Sequence, residues 1–179
     1  MEPFALSQQN MELFSRMGRR RLGTGRCAMS IQVYRATAEQ IEVAYGIVQE
    51  YYEAAAVQVR EGREEFARQY FEEGAGVWLA GNETGVLGCV ALRRLGERAD
   101  SGEIKRMYVR ADHRGRGIAD ALFDALESYA REVGHQWLYL DTAADMVAAA
   151  RFYERKGFVA CAPYNNNPQA AIFLRKKIV

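Results

Sequence analysis

The stretch that most constrains how this chain can fold is residues 101–134, SGEIKRMYVRADHRGRGIADALFDALESYAREVG. Within it, Ile118, Ala119, Leu122, Phe123, Leu126, Tyr129, Ala130 and Val133 recur at helical spacing, and Gly134 comes next as a C-terminal stop. The spacing predicts an amphipathic helix whose apolar side must be buried. SGEIKRMYVR reads as a strand, and the two are joined by DHRGRG, in which two arginines alternate with two glycines just where the helix begins.

The rest of the chain supplies partners for that helix. IQVYRAT is a short alternating run that fits a strand, and Thr37 can cap a helix starting at Ala38, with Ile41, Ala44, Val48, Tyr51, Tyr52 and Ala55 on one side. EGREEFARQYFEEG predicts a second helix. VWLAG and VLGCVALRR flank the polar, glycine-bounded GNETG and read as a hairpin. After the long helix come a strand, WLYLD, a helix, MVAAARFYERKG, a strand, FVACA, and a last strand, AAIFLRKKI, beyond the turn-rich PYNNNP. The predicted order is strand, two helices, three strands, helix, strand, helix, two strands, without an internal repeat.

At 179 residues the chain has room for one domain with a proper core. Residues 1–30 differ from the remainder of the chain: they have no clean period, and GRRRLGTGR is basic and broken by glycine. They are expected to form a mobile or loosely docked extension, leaving residues 31–179 as the folded unit. Their arginines come after the apolar residues instead of preceding an apolar core, which is the wrong order for a secretory signal. No apolar run is long enough to span a bilayer, and a formal net charge of +1 creates no global field that would draw in nucleic acid or an anionic membrane. Cys27, Cys89 and Cys161 are scattered and odd in number, as reduced thiols in a cytoplasmic protein would be. Only His113 and His135 could join them as nitrogen ligands, so no metal is expected.

An anion site, if present, must then be local, and DHRGRG has its ingredients. Gly115 and Gly117 let the backbone turn tightly and bring successive N–H groups to face an anion at the helix N-terminus. Arg114 and Arg116 add guanidinium groups that bind phosphate through paired hydrogen bonds. An ordinary glycine-bearing turn with solvated arginines explains the same residues. The segment lacks the G-x-x-x-x-G-K-[ST] pattern of a P-loop, and Asp120 stands where a dinucleotide fingerprint has its third Gly or Ala.

What remains is R-x-x-G-x-A, from Arg114 through Gly117 to Ala119. It resembles the pyrophosphate-binding motif of the GNAT superfamily of acetyl-CoA-dependent N-acetyltransferases. A second signature agrees with it: AARFYERKGF, residues 149–158, is similar to the family's fourth helix, ending in Tyr, three variable residues and Gly-Phe. From Ile31 to Val179 the predicted elements match the family's order β1-α1-α2-β2-β3-β4-α3-β5-α4-β6-β7. The resemblance therefore implies an α/β fold, a mixed central sheet of about seven strands flanked by about four helices. The closing APYNNNPQAAIFLRKK is similar to that of a bacterial-type subgroup.

The resemblance also implies roles. Acetyl-CoA, the cosubstrate, would lie along Arg114, Gly115, Arg116, Gly117, Ile118 and Ala119, with its thioester carbonyl held by backbone N–H at a splayed point of the fourth strand, at Tyr108 and Val109. Tyr153 matches the tyrosine that protonates or hydrogen-bonds the CoA sulfur; as an ordinary core aromatic it would pack beside Phe152. Glu103, eleven residues before Arg114, stands where some members carry a general base; its alternative is a strand-start acid or a salt bridge to Lys105. Met146 occupies the place of a cofactor-contacting asparagine, where only its thioether can pack against the pantetheine arm. Tyr164, Asn165, Asn166 and Asn167 are candidates for orienting the acceptor, although a turn accounts for them equally well. Asp141 and Thr142 can line the cleft or serve as a turn. The expected acceptor is a small-molecule amine, with a protein or peptide amine as the alternative, and a non-catalytic acyl-CoA sensor as a reading of another class. Members of the family are often dimers.

Overall fold

In the computed structural model, which describes residues 30–96 and 98–179, the hairpin read from VWLAG and VLGCVALRR becomes the middle of a seven-stranded sheet. Its strands are β1 (Gln32–Arg35), β2 (Gly76–Asn82), β3 (Gly85–Leu95), β4 (Arg98–Val109), β5 (Trp137–Thr142), β6 (Val159–Ala160) and β7 (Ile172–Lys177), in the order β1-β2-β3-β4-β5-β7-β6. Only β4 and β5 run parallel; every other neighbouring pair is antiparallel. Four helices cover the sheet: α1 (Ile41–Ala54), α2 (Arg63–Tyr70), α3 (Ile118–Glu132) and α4 (Val147–Arg155).

Burial explains why β2 and the first part of β3 are apolar without alternation: every residue of β2 is buried, because both faces of the sheet are covered there. On one face, Ala44, Ile47, Val48 and Tyr52 of α1 and Phe66 and Tyr70 of α2 pack on Val77, Leu79, Cys89 and Ala91. On the other, Ile118, Leu122, Phe123, Leu126 and Ala130 of α3 pack on Trp78, Ala80, Val90, Leu92, Ile104, Leu138 and Leu140. The four-residue steps from Ile118 to Ala130 put one residue per turn into this core. Burying each large aliphatic or aromatic side chain there contributes roughly 1.5–3 kcal/mol before entropy is counted. At its edges the predicted stripe is too wide, since Val133 is exposed.

Several boundaries differ from the sequence reading, and three of them have a clear physical cause. The helix expected from Ala38 opens with a 3-10 turn over Ala38–Gln40, where the Thr37 N–H donates to Gln40 Oε1 at 3.0 Å, and becomes α1 at Ile41. β4 starts at Arg98 rather than Ser101, because pairing with β3 continues into the polar end of the hairpin. The strand expected over FVACA shrinks to Val159–Ala160. Pro163 brings no N–H to a ladder, and the residues after it turn inward to the site between β4 and β5. The predicted N-terminal extension falls, apart from Ser30, outside the described residues. Among the described residues no helix is long and apolar enough to cross a membrane.

Leu126 is fully buried at the centre of the α3 stripe. Leu126→Ala should cost about 2–5 kcal/mol, seen in urea titration as a lower midpoint with an unchanged slope.

Candidate active site

β4 and β5 begin side by side and then part. Their parallel ladder consists of Ser101–Trp137, Gly102–Leu138 and Glu103–Tyr139 and ends there, while β5 stays paired with β7 as far as Thr142. A wedge-shaped gap therefore opens in the middle of the sheet, between the second half of β4 and the end of β5.

A bulge shapes the β4 side of the gap. Register with β3 shifts between Ala91–Lys105 and Cys89–Tyr108, so Arg106 and Met107 together oppose Val90. Ile104, Met107 and Val109 face the α3 core, and the extra residue, Arg106, has a positive φ of 57°. Beyond the bulge the Arg110 N–H donates to the Leu87 carbonyl at 2.9 Å. In an antiparallel ladder residues that exchange hydrogen bonds alternate with residues that do not, so the backbone of Tyr108 is directed at Cys89 and that of Val109 away from β3, into the gap. Arg114 Nε accordingly donates to the Val109 carbonyl at 3.0 Å. Of the two expected carbonyl-polarising amides, Tyr108 and Val109, the geometry leaves Val109 open.

Just past β4 the chain makes a short turn, Ala111–His113, and the arginine-glycine loop carries it into α3. Gly115 and Gly117 have φ of 72° and 77°, and a Cβ at either would project into open space. Gly117 is the N-cap of α3, with no side-chain cap. The first helical backbone bond runs from the Ala121 N–H to the Gly117 carbonyl, so the amides of Ile118, Ala119 and Asp120 have no backbone acceptor among the described residues. Arg114 and Arg116 are exposed, and Arg116 donates to the Asp112 carbonyl at 3.0 Å. Exposed glycines, unpaired N–H groups and two arginines at the positive end of a fifteen-residue helix are what an oxyanion-rich ligand such as a pyrophosphate requires.

On the other face of the sheet the gap is closed by ion pairs. Lys105 of β4 reaches across it to Asp141 of β5 and also pairs with Glu103 at 2.9 Å. Glu103 is 1% exposed and is met by Arg93 Nε at 2.7 Å, Tyr164 OH at 3.1 Å and Asn165 Nδ2 at 3.1 Å. Asn167 donates to Asp141, and the Tyr164 hydroxyl lies 3.4 Å from it. Although burial alone would raise the Asp141 carboxyl, the Lys105 ammonium and the asparagine amides hold it below the usual carboxylate range. Four donors thus converge on Glu103, three of them on Oε1 and Arg93 on Oε2, so it anchors the loop before β7; the salt bridge to Lys105 is formed. The same contacts bring Tyr164, Asn165 and Asn167 onto the two carboxylates, Asn167 staying exposed, whereas Asn166 is exposed and bonds to neither. Farther along the loop, Gln169 accepts from the Gln58 N–H at 2.8 Å and donates to the Ala56 carbonyl, tying it to the α1–α2 connection. A polar groove lined by Gln69, Arg93, Glu103 and Asn165 leads to this face from α2.

Tyr153 of α4 is buried on the α3 face, its ring 5.1–6.3 Å from those of Phe152, Phe158 and Phe123. Its hydroxyl has no hydrogen-bond partner among the described residues. Burial, with the neighbouring Tyr51 hydroxyl adding to it, pushes its pKa up, so it remains protonated. Met146 is the half-buried N-cap of α4. Lys156, at the end of α4, pairs with Asp120 at 3.0 Å and Asp124 at 2.9 Å, fixing that helix to α3. Cys89 and Cys161 are free thiols, and among the described residues no group of three or more His, Cys, Asp or Glu is arranged to hold a metal.

Sequence reasoning missed Arg106, Glu61, Arg93 and Gln69. A signal for the bulge was present: Ile104, Met107 and Val109 share a face, which an unbroken two-residue period does not allow.

A sheet split between a parallel pair, with an anion-ready helix N-terminus at the mouth of the split, defines an acyltransferase-type fold and site. Residues 41–158 match the sequence model described as the Acetyltransferase (GNAT) family, and the chain belongs to that family. It is 33% identical over 106 residues to the uncharacterized N-acetyltransferase YsnE of Bacillus subtilis, across 56% of this chain and 68% of that protein. It is 35% identical over 82 residues to an uncharacterized N-acetyltransferase of Schizosaccharomyces pombe, across 46% of this chain and 50% of that one, so the match spans half of that relative's length. A GNAT-family acetyltransferase of Staphylococcus aureus Mu50 has the same fold, with a TM-score of 0.71 at 19% identity over 83% of this chain and 99% of that one.

The Lys105–Asp141 bridge should be measurable. Asp141→Asn should destabilise the protein at pH 7 toward the lower end of the roughly 3–5 kcal/mol cost of orphaning one partner of a buried pair, because Lys105 keeps Glu103. A carboxylate with a lowered folded pKa contributes above its unfolded pKa and loses that contribution as pH falls through the folded value. The gap between the two proteins' denaturant midpoints should therefore narrow below about pH 4.

Proposed function

We propose that this chain transfers the acetyl group of acetyl-CoA to a primary amine by direct attack in a ternary complex. The observation that carries this reading is the junction of two features: the open amides of residues 118–120 under Gly115 and Gly117, and, one short turn away, the Val109 amide facing the gap. The first suits a pyrophosphate, the second a thioester carbonyl, and both lie at the split between β4 and β5.

In the reaction the amine nitrogen forms a bond to the carbonyl carbon, negative charge develops on the carbonyl oxygen, and the carbon–sulfur bond breaks. The Val109 N–H donates to that oxygen without reorganising, a contribution worth about 10²- to 10³-fold in rate for comparable donors. Tyr153, kept protonated by its burial, gives its proton to the departing thiolate. The amine attacks in its neutral form, and the proton its nitrogen carries after attack leaves to water while water returns a proton to Tyr153, since the two buried carboxylates nearest the gap are held by Lys105, Arg93 and the loop amides. Glu103 acts here as a positioning residue for Tyr164 and Asn165. A small amine is favoured as acceptor because the loop carrying these residues is folded inward and clasped to the α1–α2 connection by Gln169, which narrows the approach.

The test is release of free CoA from acetyl-CoA over a panel of small amines, polyamines, amino acids and lysine peptides. Release that depends on a small amine supports the proposal, release with peptides alone moves the acceptor to protein, and binding without release makes the chain a sensor. With an acceptor in hand, Tyr153→Phe should bind acetyl-CoA normally and lose about 10²- to 10⁴-fold in turnover. Glu103→Gln should lose turnover by a factor that stays constant up to the amine's own pKa; a deficit that disappears as pH rises would return the base role to Glu103.

A further inference from the structure

Arg106 is one of two described residues other than glycine with a positive φ, and it is the extra residue of the bulge that opens the gap. Side chains with a Cβ occupy that conformation rarely, and the surroundings must hold it there. Its side chain is 12% exposed, and its guanidinium makes a two-armed pair with the Glu61 side chain, 7% exposed, with Nε at 3.2 Å from Oε1 and Nη2 bonded to Oε2. The same guanidinium lies over the rings of Tyr52, at 5.0 Å, and Tyr51, at 5.9 Å. The Arg106 carbonyl accepts from the Cys89 thiol at 3.2 Å. Glu61 is fixed in turn, because its carbonyl accepts from the Tyr45 hydroxyl at 3.1 Å and it directly precedes the N-cap of α2. Side chains of α1, the entry to α2 and a thiol of β3 thus converge on one strained residue of β4.

The bulge sets the phase of everything after it. Upstream, Lys105 pairs with Ala91; downstream, one residue has been gained, and Tyr108 pairs with Cys89. Were Arg106 to rejoin a regular ladder, the register would slip by one and every later residue would exchange faces. The Val109 side chain would leave the α3 core, and its amide would turn from the gap to β3.

We propose that Arg106 is a positioning residue for the transfer: its ion pair with Glu61 holds the bulge in its left-handed conformation and so keeps the Val109 amide aimed at the acyl carbonyl. Through the same pair, the α1–α2 connection on the acceptor side is mechanically joined to the carbonyl-polarising donor. The inference rests on reading the gap as the acyl-CoA site.

The measurement is the infrared carbonyl stretch of acetyl-CoA labelled with carbon-13 at the carbonyl, bound to the parent, Arg106→Ala, Arg106→Gly and Glu61→Gln, with affinity taken by calorimetry on the same samples. The parent should lower the stretch relative to free acetyl-CoA. Arg106→Ala, which loses the ion pair and keeps the backbone penalty, should lose most of that shift with affinity unchanged, since affinity is set at the α3 loop. Arg106→Gly should keep more of the shift than Arg106→Ala, because glycine accepts the conformation freely, and Glu61→Gln, which preserves size and one of the two acceptor oxygens, should fall between the parent and Arg106→Ala. Where turnover is measurable, kcat should fall by up to about 10²- to 10³-fold with little change in KM for acetyl-CoA. An undiminished shift in all variants, or equal losses in Arg106→Ala and Arg106→Gly, overturns the inference while leaving the site intact. A parent that does not bind acetyl-CoA overturns the reading of the site and this inference with it.

Discussion

The structure depends on the failure of two neighbouring strands to stay paired. β4 and β5 share a parallel ladder only as far as Glu103 and Tyr139; past that point each keeps its other neighbour, and neither can close on the other. An unbroken seven-stranded sheet covered by helices on both sides would be a barrier. The split opens a cleft in it whose rim carries backbone groups with no ladder partner. The anion-ready loop lies at the end of β4 because α3 must start there to cross back over the sheet, so fold and candidate site share one geometric cause.

Holding such a split open requires buried charge. Lys105, Asp141, Glu103 and Arg93 bridge the strands and the loop before β7, with the carboxylates almost fully out of solvent. Burying ions is costly unless each is paired and its remaining hydrogen-bonding capacity is met. Here Tyr164, Asn165 and Asn167 supply the missing donors, so the charges that bridge the gap also fold the loop over it. Apolar residues in these places could pack the two strands but would give the loop nothing to grip.

How much the sequence disclosed depends on the range of the interactions involved. The α3 stripe from Ile118 to Ala130, the glycine loop before it and the Tyr153–Phe158 segment are local patterns, and all were legible together with the order of the strands and helices. Glu103 was legible as a candidate and so was its salt bridge to Lys105, but its hold on the loop was not, because Tyr164 and Asn165 lie 61 and 62 positions away and meet it only in the folded sheet. Arg106 was passed over for a related reason: Glu61 is 45 positions away, and a charged residue in a strand reads by default as solvent-facing. Yet Ile104 and Met107, three apart and on one face, carried the mark of an inserted residue. The shortened β6 could not be seen either, since the pull on its loop comes from Glu103 and Asp141.

The central claim is that the α3 loop binds the pyrophosphate of acetyl-CoA through open backbone, and backbone strain can be separated from ligand contact. Gly117 and Gly134 have nearly the same left-handed φ, 77° and 86°, and a Cβ at either meets nothing within 4 Å; one starts α3 and the other lies just past its end. Gly117→Ala and Gly134→Ala should therefore lose similar stability, about 1–2 kcal/mol for an alanine in this conformation. Calorimetric titration with acetyl-CoA should find the parent and Gly134→Ala alike and Gly117→Ala markedly weaker. Equal affinity in all three proteins would contradict the account.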